Sequence, residues 1–226
     1  LTLFPEMIEP VAAASMLGRA SKNGILDIRA VNIRDFTQNK HKKTDDTPFG
    51  GGAGMVMSAQ PVFDALRSVD AQDKRILYMS PRGRKLDRDL VTDLAAEENL
   101  VILCGHYEGI DERIIDFWKP EEISIGDYIL TGGELAAMVV VDAVARMIPS
   151  VLGNQESHME ESVYSGLIEY PQYTKPRVYE EMEVPEVLLS GNHKLIHLWK
   201  FEKACEITKE RRPDLWEAFV RDLSGL

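Results

Sequence analysis

ILCGHYEGIDER, from Ile102 to Arg113, and SIGDYILTGGE, from Ser124 to Glu134, share one plan. Each opens with a short apolar run that reads as a buried strand, then breaks into glycines flanked by carboxylates and a tyrosine. Glycine lets the backbone approach a ligand that side chains would hold away. RILYMSPRGRKL, from Arg75 to Leu86, repeats the plan, with an apolar strand at Ile76 to Met79 and a polar turn at Ser80 to Lys85. Three strands ending in three such loops imply one crevice, because ligands of open α/β sheets lie beyond the carboxyl ends of the strands.

Working outward, the chain alternates strand and helix up to about Ile148, the pattern of a mostly parallel sheet with helices on both sides. Strands are expected at Leu1 to Phe4, Ile25 to Asn32, Ile76 to Met79, Leu100 to Cys104, Glu122 to Ile125 and the short Tyr128 to Leu130. Leu86, Leu90 and Leu94 recur every fourth residue, so Asp87 to Glu98 reads as an amphipathic helix, and Gly133 to Met147 as a more buried one. Apolar periodicity then fades from Gly153 to Tyr170, a linker of a length that is often functional. Beyond it Pro171, Pro176 and Pro185 punctuate an extended stretch, and helices follow at about Asn192 to Lys209 and Pro213 to Leu223. The expected organisation is an α/β domain over residues 1–152, a linker over 153–170 and a small helical domain over 171–226.

Composition narrows the classes of function. A chain of 226 residues with 44% hydrophobic and 28% charged residues has room for one sizeable core and a small second domain. The longest apolar run, Leu135 to Val141, stops at Asp142, far short of the roughly 20 residues that span a bilayer. LTLFPEM at the start carries no basic region or cleavage site and reads as a first strand whose opening residues are missing, so a cytoplasmic location is the default expectation. Cys104 and Cys205 fall in a predicted strand and a predicted helix, which indicates neither a disulfide framework nor a zinc site. A net charge of −11 argues against a nonspecific nucleic-acid coat. Basic clusters at Lys40 to Lys43, at Arg82, Arg84, Lys85 and Arg88, and at Arg211 and Arg212 still permit docking at a few phosphates.

DDTPFGGGAGM, from Asp45 to Met55, sets two carboxylates ahead of four glycines. It lacks the lysine and hydroxyl of a phosphate-binding Walker loop, and no strand is expected to feed into it. A loop that closes over a substrate fits it better. His193 and His197 stand four apart, but Lys194 occupies the place where a metalloprotease helix carries its glutamate, so a plain helix face is expected. Arg146 near the end of an apolar helix suits the helix dipole, and Glu160 and Glu161 read alone as solvated linker charges.

LTLFPEM, RDFT at Arg34 to Thr37, the glycine loop, SPRGRKLD, CGHYEGIDER, SIGDYILTGGELAAM, DAVARMIP, EYPQYTKP and VPEVLLSGNH together resemble the bacterial tRNA (guanine-N1)-methyltransferases, collinearly over almost the whole chain. That family belongs to the SPOUT class, and the resemblance implies a deep trefoil knot in the C-terminal part of the α/β domain and a homodimer with a shared active site. It implies that S-adenosyl-L-methionine is bound by Tyr78, Met79, Ser80 and Pro81, by Gly105, Tyr107 and Glu108, by Ser124, Ile125, Gly126, Asp127, Tyr128, Ile129 and Leu130, and by Gly132 and Gly133. The implied substrate is the guanosine 3′ of the anticodon in tRNA, with contacts at His41, Asp45, Gly54 and Arg113 and with the C-terminal helices on the anticodon arm. Magnesium is implied near Glu108.

N1 of neutral guanine bears a proton, so methylating it needs alignment with the sulfonium, a base, and stabilisation of charge on O6. Arg146 matches the family's catalytic arginine, and Glu161 stands where the family has an aspartate as base, one methylene longer. His106 and Ile123 stand where most members carry arginine and tryptophan. The alternatives are a noncatalytic RNA-binding protein of the same fold and a knotted methyltransferase of ribosomal RNA.

Overall fold

The computed structural model describes residues 1–152 and 166–225, and the chain divides into two compact units, Leu1–Gln155 and Glu156–Leu226. The boundary falls inside the stretch read as a linker. Glu160 and Glu161 lie outside the described residues.

The first unit is built on a parallel sheet with strand order β4-β3-β5, where β3 is Arg75–Lys85, β4 is Leu100–Cys104 and β5 is Glu121–Ser124. Alternation at period two decides what each face buries. Ile76 and Tyr78, with Val101 and Leu103, pack against Val62, Ala65 and Leu66 of α3 (Ala59–Ser68) and Ile114 of α5 (Glu112–Trp118). Leu77 and Met79, with Cys104 and Ile123, face α4 (Arg88–Ala95) and α6 (Glu134–Met147) on the other side. The result is the expected α/β layering, with apolar strands covered on both faces. Asp87 caps α4 by accepting from the Leu90 N–H at 2.9 Å, so the amphipathic run begins one residue later than its periodicity suggests.

The sheet has an unusual clasp. Ile123 pairs with Met79 and also with Arg84, while Lys85 pairs with Ser124 and the Leu86 N–H donates to the Ser124 carbonyl at 2.8 Å. A strand residue has one partner per edge, so the two arms of Met79–Leu86 lie on opposite edges of β5. At the bend Gly83 lies on the β5 backbone, where an added Cβ would stand 2.3 Å from the Glu122 carbonyl carbon.

Three strand expectations are corrected. Leu1 to Phe4 pairs only briefly: the Leu1 nitrogen donates to the Ile102 carbonyl at 2.7 Å, Leu1 O accepts from Cys104 N at 2.9 Å, and Thr2 bridges Asn32. Pro5 then opens α1 (Pro5–Ala12), since proline is preorganised for a first helical position. Ile25 to Asn32 forms no strand, and its Ile25, Leu26, Ile28 and Ala30 instead pack with α1, α2 (Ser15–Lys22) and α6 through Ile8, Leu17 and Met138. Tyr128 to Leu130 is an exposed loop. The glycine loop, expected to have no strand feeding into it, is flanked by a two-residue ladder of β1 (Asp45–Asp46) and β2 (Val56–Met57).

The second unit holds a hairpin of β6 (Val178–Tyr179) and β7 (Met182–Glu183), the short α7 (Glu186–Leu189), α8 (His193–Arg211) and α9 (Pro213–Ser224). Asn192 is the cap of α8 rather than its first residue, accepting from the Leu195 N–H. Thr208 is fully buried, donating to the Ala204 carbonyl at 2.6 Å and accepting from the Ile168 N–H at 2.7 Å. No helix among the described residues is long and apolar enough to cross a membrane.

The clasp makes residue 83 unforgiving. Gly83→Ala forces a methyl into backbone that has no side-chain freedom with which to yield, so it should cost about 1–3 kcal/mol of stability. Urea unfolding of the two proteins measures this, and an unchanged midpoint would contradict the bracketing of β5.

Candidate functional site

The three strand ends open onto one cavity of about 390 Å³. β3 contributes Tyr78, Met79, Ser80 and Pro81, and the loop after β4 contributes Gly105, Tyr107 and Glu108. After β5, Ser124, Ile125, Gly126, Tyr128, Ile129 and Leu130 form a third wall that closes at Gly132 and Gly133. Asp127 alone of the expected set stays outside the lining, its carboxylate 2.8 Å from the Lys85 ammonium. Arg82 and Glu112, which the sequence did not single out for this cavity, also line it, as does His106, noted only as a departure from the family. Their signal was position, since all three sit within or beside the ligand-ready loops.

Close backbone approach explains the glycines at the floor. The Gly133 N–H donates to the Gly105 carbonyl at 2.9 Å, and a Cβ on Gly133 would lie 2.8 Å from Cys104 Cα. Two loops are thereby joined with only backbone between them. Tyr107 holds a left-handed φ of +61°, a conformation that costs a non-glycine residue energy and is concentrated at functional sites.

The polar groups are arranged around this floor. Burial, and after it the Glu122 carboxylate, pushes the Tyr78 hydroxyl above its ordinary range, so it is a neutral group at physiological pH. The exposed Arg82 guanidinium lies 3.3 Å from Glu122 and 3.8 Å from Glu112, linking the bend of β3 to the start of α5. At the rim the hydrogen bond from Arg113 holds the Asp111 carboxyl below the usual carboxylate range, with the two side chains 2.6 Å apart.

The glycine loop is sewn to this site at its base. Glu108 N–H donates to Met55 O at 2.9 Å, Met57 N–H to Gly109 O at 2.9 Å, and Asp111 N–H to Met57 O at 3.0 Å. A Cβ on Gly54 would stand 2.5 Å from Glu108 Cγ, and Asp45 pairs with Met57. Asp45, Gly54 and Glu108 are thus neighbours. Arg113 lies in the first turn of α5, and His41 lies in an exposed turn four residues before Asp45. Arg146 is elsewhere: α6 starts at the cavity, and twelve residues of helix from Glu134 carry Arg146 about 18 Å along its axis. Glu161, the expected base, lies outside the described residues.

A parallel sheet flanked by helices, with a cavity of small-ligand size at its strand ends, defines the class of an α/β domain that binds its ligand beyond the strands. Within that class the chain belongs to the tRNA (Guanine-1)-methyltransferase TrmD family, whose model matches residues 1–218. It is 54% identical over 221 residues to a tRNA (guanine-N(1)-)-methyltransferase of Clostridium acetobutylicum, covering 97% of this chain and 90% of the relative. It is 52% identical over 219 residues to the enzyme of that name from Ruminiclostridium cellulolyticum, covering 96% and 94%, and 53% identical over 228 residues to that from Alkaliphilus oremlandii, covering 97% and 92%.

Beneath the glycine seam, burial pushes the Cys104 thiol up to about 12. A pKa raised by folding stabilises the native state below the ordinary value of 9.0 and loses that stabilisation as pH climbs from there towards 12. The wild type should therefore lose more stability than Cys104→Ala between those pH values, as read by urea unfolding at each pH. Parallel curves would show that the thiol is not sealed.

Proposed function

We propose that the chain transfers the methyl group of S-adenosyl-L-methionine to N1 of the guanosine immediately 3′ of the anticodon in tRNA, a modification that helps hold the reading frame. The observation that carries this reading is the single cavity made by all three strand-end loops, in a chain of this family. Membership of the family implies an S-adenosylmethionine donor, and the cavity fits one: it has the size of a small-ligand site, backbone groups to hold an adenine, and Glu108 to favour a sulfonium charge. That donor supplies an electrophilic methyl group, and the remaining work falls to the protein.

Glu161 accepts the N1 proton, which would leave that nitrogen free to take the methyl group a bound donor would supply. Arg146 stabilises the negative charge that grows on O6. Asp45, Gly54, Arg113 and His41 line the approach of an unstacked guanine, as expected for recognition of a single-stranded RNA loop. The C-terminal unit holds the anticodon arm.

A homodimer accounts for the distance of Arg146 from its own cavity. On α6, Leu135 and Val139 are 55% and 47% exposed and stand four residues apart, and Arg146 continues their row seven residues on. Packing this apolar face on a second copy would bring one chain's Arg146 to the other's cavity. The knot is supported by the clasp, since the chain that leaves β5 must pass between the two arms of Met79–Leu86. For magnesium the chain offers the Glu108 carboxylate, and the described residues hold no group of three metal-ligating side chains. One carboxylate is not a cage, so a magnesium ion there would need waters and substrate oxygens for its other ligands.

Labelled S-adenosylmethionine and unmodified tRNA should give label on the form with guanosine at this position and none on the adenosine form. Glu161→Gln should reduce turnover by at least about a hundredfold, within the usual contribution of a general base, while the affinity for S-adenosylmethionine stays near wild type. Full turnover in that variant would remove Glu161 from the mechanism.

A further inference from the structure

His106 lines the cavity, and only 12% of its side chain is open to solvent. Its ring is fixed from three sides. Phe4 stacks on it at a tilt with ring centroids 4.8 Å apart, Gly132 leaves room for it where a Cβ would come within 2.2 Å of the ring, and Nε2 lies 2.7 Å from Glu134 Oε2.

Glu134 is the first residue of α6 and is 1% exposed. Its other oxygen accepts the hydroxyl of Thr2, which is itself buried and whose Oγ1 takes the Phe4 N–H at 2.9 Å. A buried carboxylate is tolerated when its lone pairs are met in this way and it lies at a helix N-terminus. With Glu134 as the acceptor of this contact, as it is of the Thr2 hydroxyl, Nε2 is the donor and Nδ1 is the other polar atom of the ring. Nδ1 makes no hydrogen bond to any described residue, yet it is not among the sealed, unsatisfied side-chain atoms. It is an open polar atom in the wall of a cavity, held to one orientation by groups behind it. Because the atom is accessible and its residue lines the cavity, a ligand seated there can supply the partner that no described residue provides.

We propose that His106 Nδ1 is a recognition atom of the cavity, hydrogen-bonded to an N–H or O–H group of S-adenosylmethionine, and that Glu134 and Thr2 are positioning residues that aim it. The inference rests on the reading of the cavity as the site of that ligand. It adds a contact that selects for polarity on a floor otherwise made of backbone and glycine.

The two ring nitrogens can be replaced one at a time. The amide of glutamine reaches the place of Nε2, and that of asparagine the place of Nδ1. His106→Gln keeps the contact to Glu134, so it should melt close to wild type but bind S-adenosylmethionine and S-adenosylhomocysteine about five- to tenfold more weakly by calorimetry, the effect of one hydrogen bond. KM for tRNA should not move. His106→Asn should melt lower and retain ligand affinity within about twofold. The reverse pattern, with full affinity in His106→Gln and loss in His106→Asn, would reduce His106 to a structural prop and overturn the proposal. Wild-type protein with ¹⁵N-labelled histidine gives a check that needs no variant to fold. Adding S-adenosylmethionine should shift the Nδ1 resonance of His106 and leave Nε2 in place, and an unmoved Nδ1 would also overturn the assignment. Failure of the wild type to bind S-adenosylmethionine at all would instead strike the reading of the cavity.

Discussion

The end of β5 is held on both edges by one stretch of chain, and the geometry of the site depends on that grip. Ile123 is fully buried, paired with Met79 on one side and with Arg84 on the other, so neither the bend at Ser80 to Gly83 nor the start of the Ser124 loop can move independently. These are two of the three cavity walls. Most strand-end sites rely on loops whose ends are fixed but whose courses are free. Here backbone pairing continues past the strand ends into the loops, and the conformational entropy of ordering them is lost on folding rather than on binding a ligand. The glycine at position 83 follows from the same grip, because two backbones cross there with no room for a side chain.

The cavity floor uses the same device a second time. Gly105 and Gly133 come together backbone to backbone, and His106 and Glu134 follow them in sequence and meet at 2.7 Å. A hydrogen bond between two loops is thus backed by a side-chain contact one residue further along each. Glu134 also begins α6, so the helix that covers one face of the sheet is registered to the cavity through its first residue. Packing and ligand geometry are not separable there.

Much of this was readable in the residues. Ile76–Met79 and Leu100–Cys104 are short apolar runs ended by polar, glycine-bearing turns, and period-two burial made them strands whose loops converge. The four-residue recurrence of Leu86, Leu90 and Leu94 marked one helix, and Pro213 opened another. What escaped the reading depends on distant partners. Ile25–Asn32 has the composition of a strand, but it spends its apolar side chains on α1, α2 and α6. Val56–Met57 is too short to show a period, although Met57 is completely buried and joins Asp45 to the loop after β4. The second pairing of Ile123 and the contact of His106 with Glu134 join residues 39 and 28 positions apart, and no local pattern encodes either.

The length of α6 sets the last constraint. A helix that begins at the cavity and must also cover the sheet cannot return its far end to the place where it started, so about 18 Å separates Glu134 from Arg146. Under the proposed role for Arg146, a second copy would supply it, and the face available for that contact is the one α6 leaves apolar at Leu135 and Val139. The same helix face would then hold the subunits together and deliver the charged group. On this reading an isolated chain can assemble the cavity for the methyl donor but not the groups that work on guanine. Under the proposed dimer, folding of the monomer and completion of the active site would be separate events, with association of two copies between them.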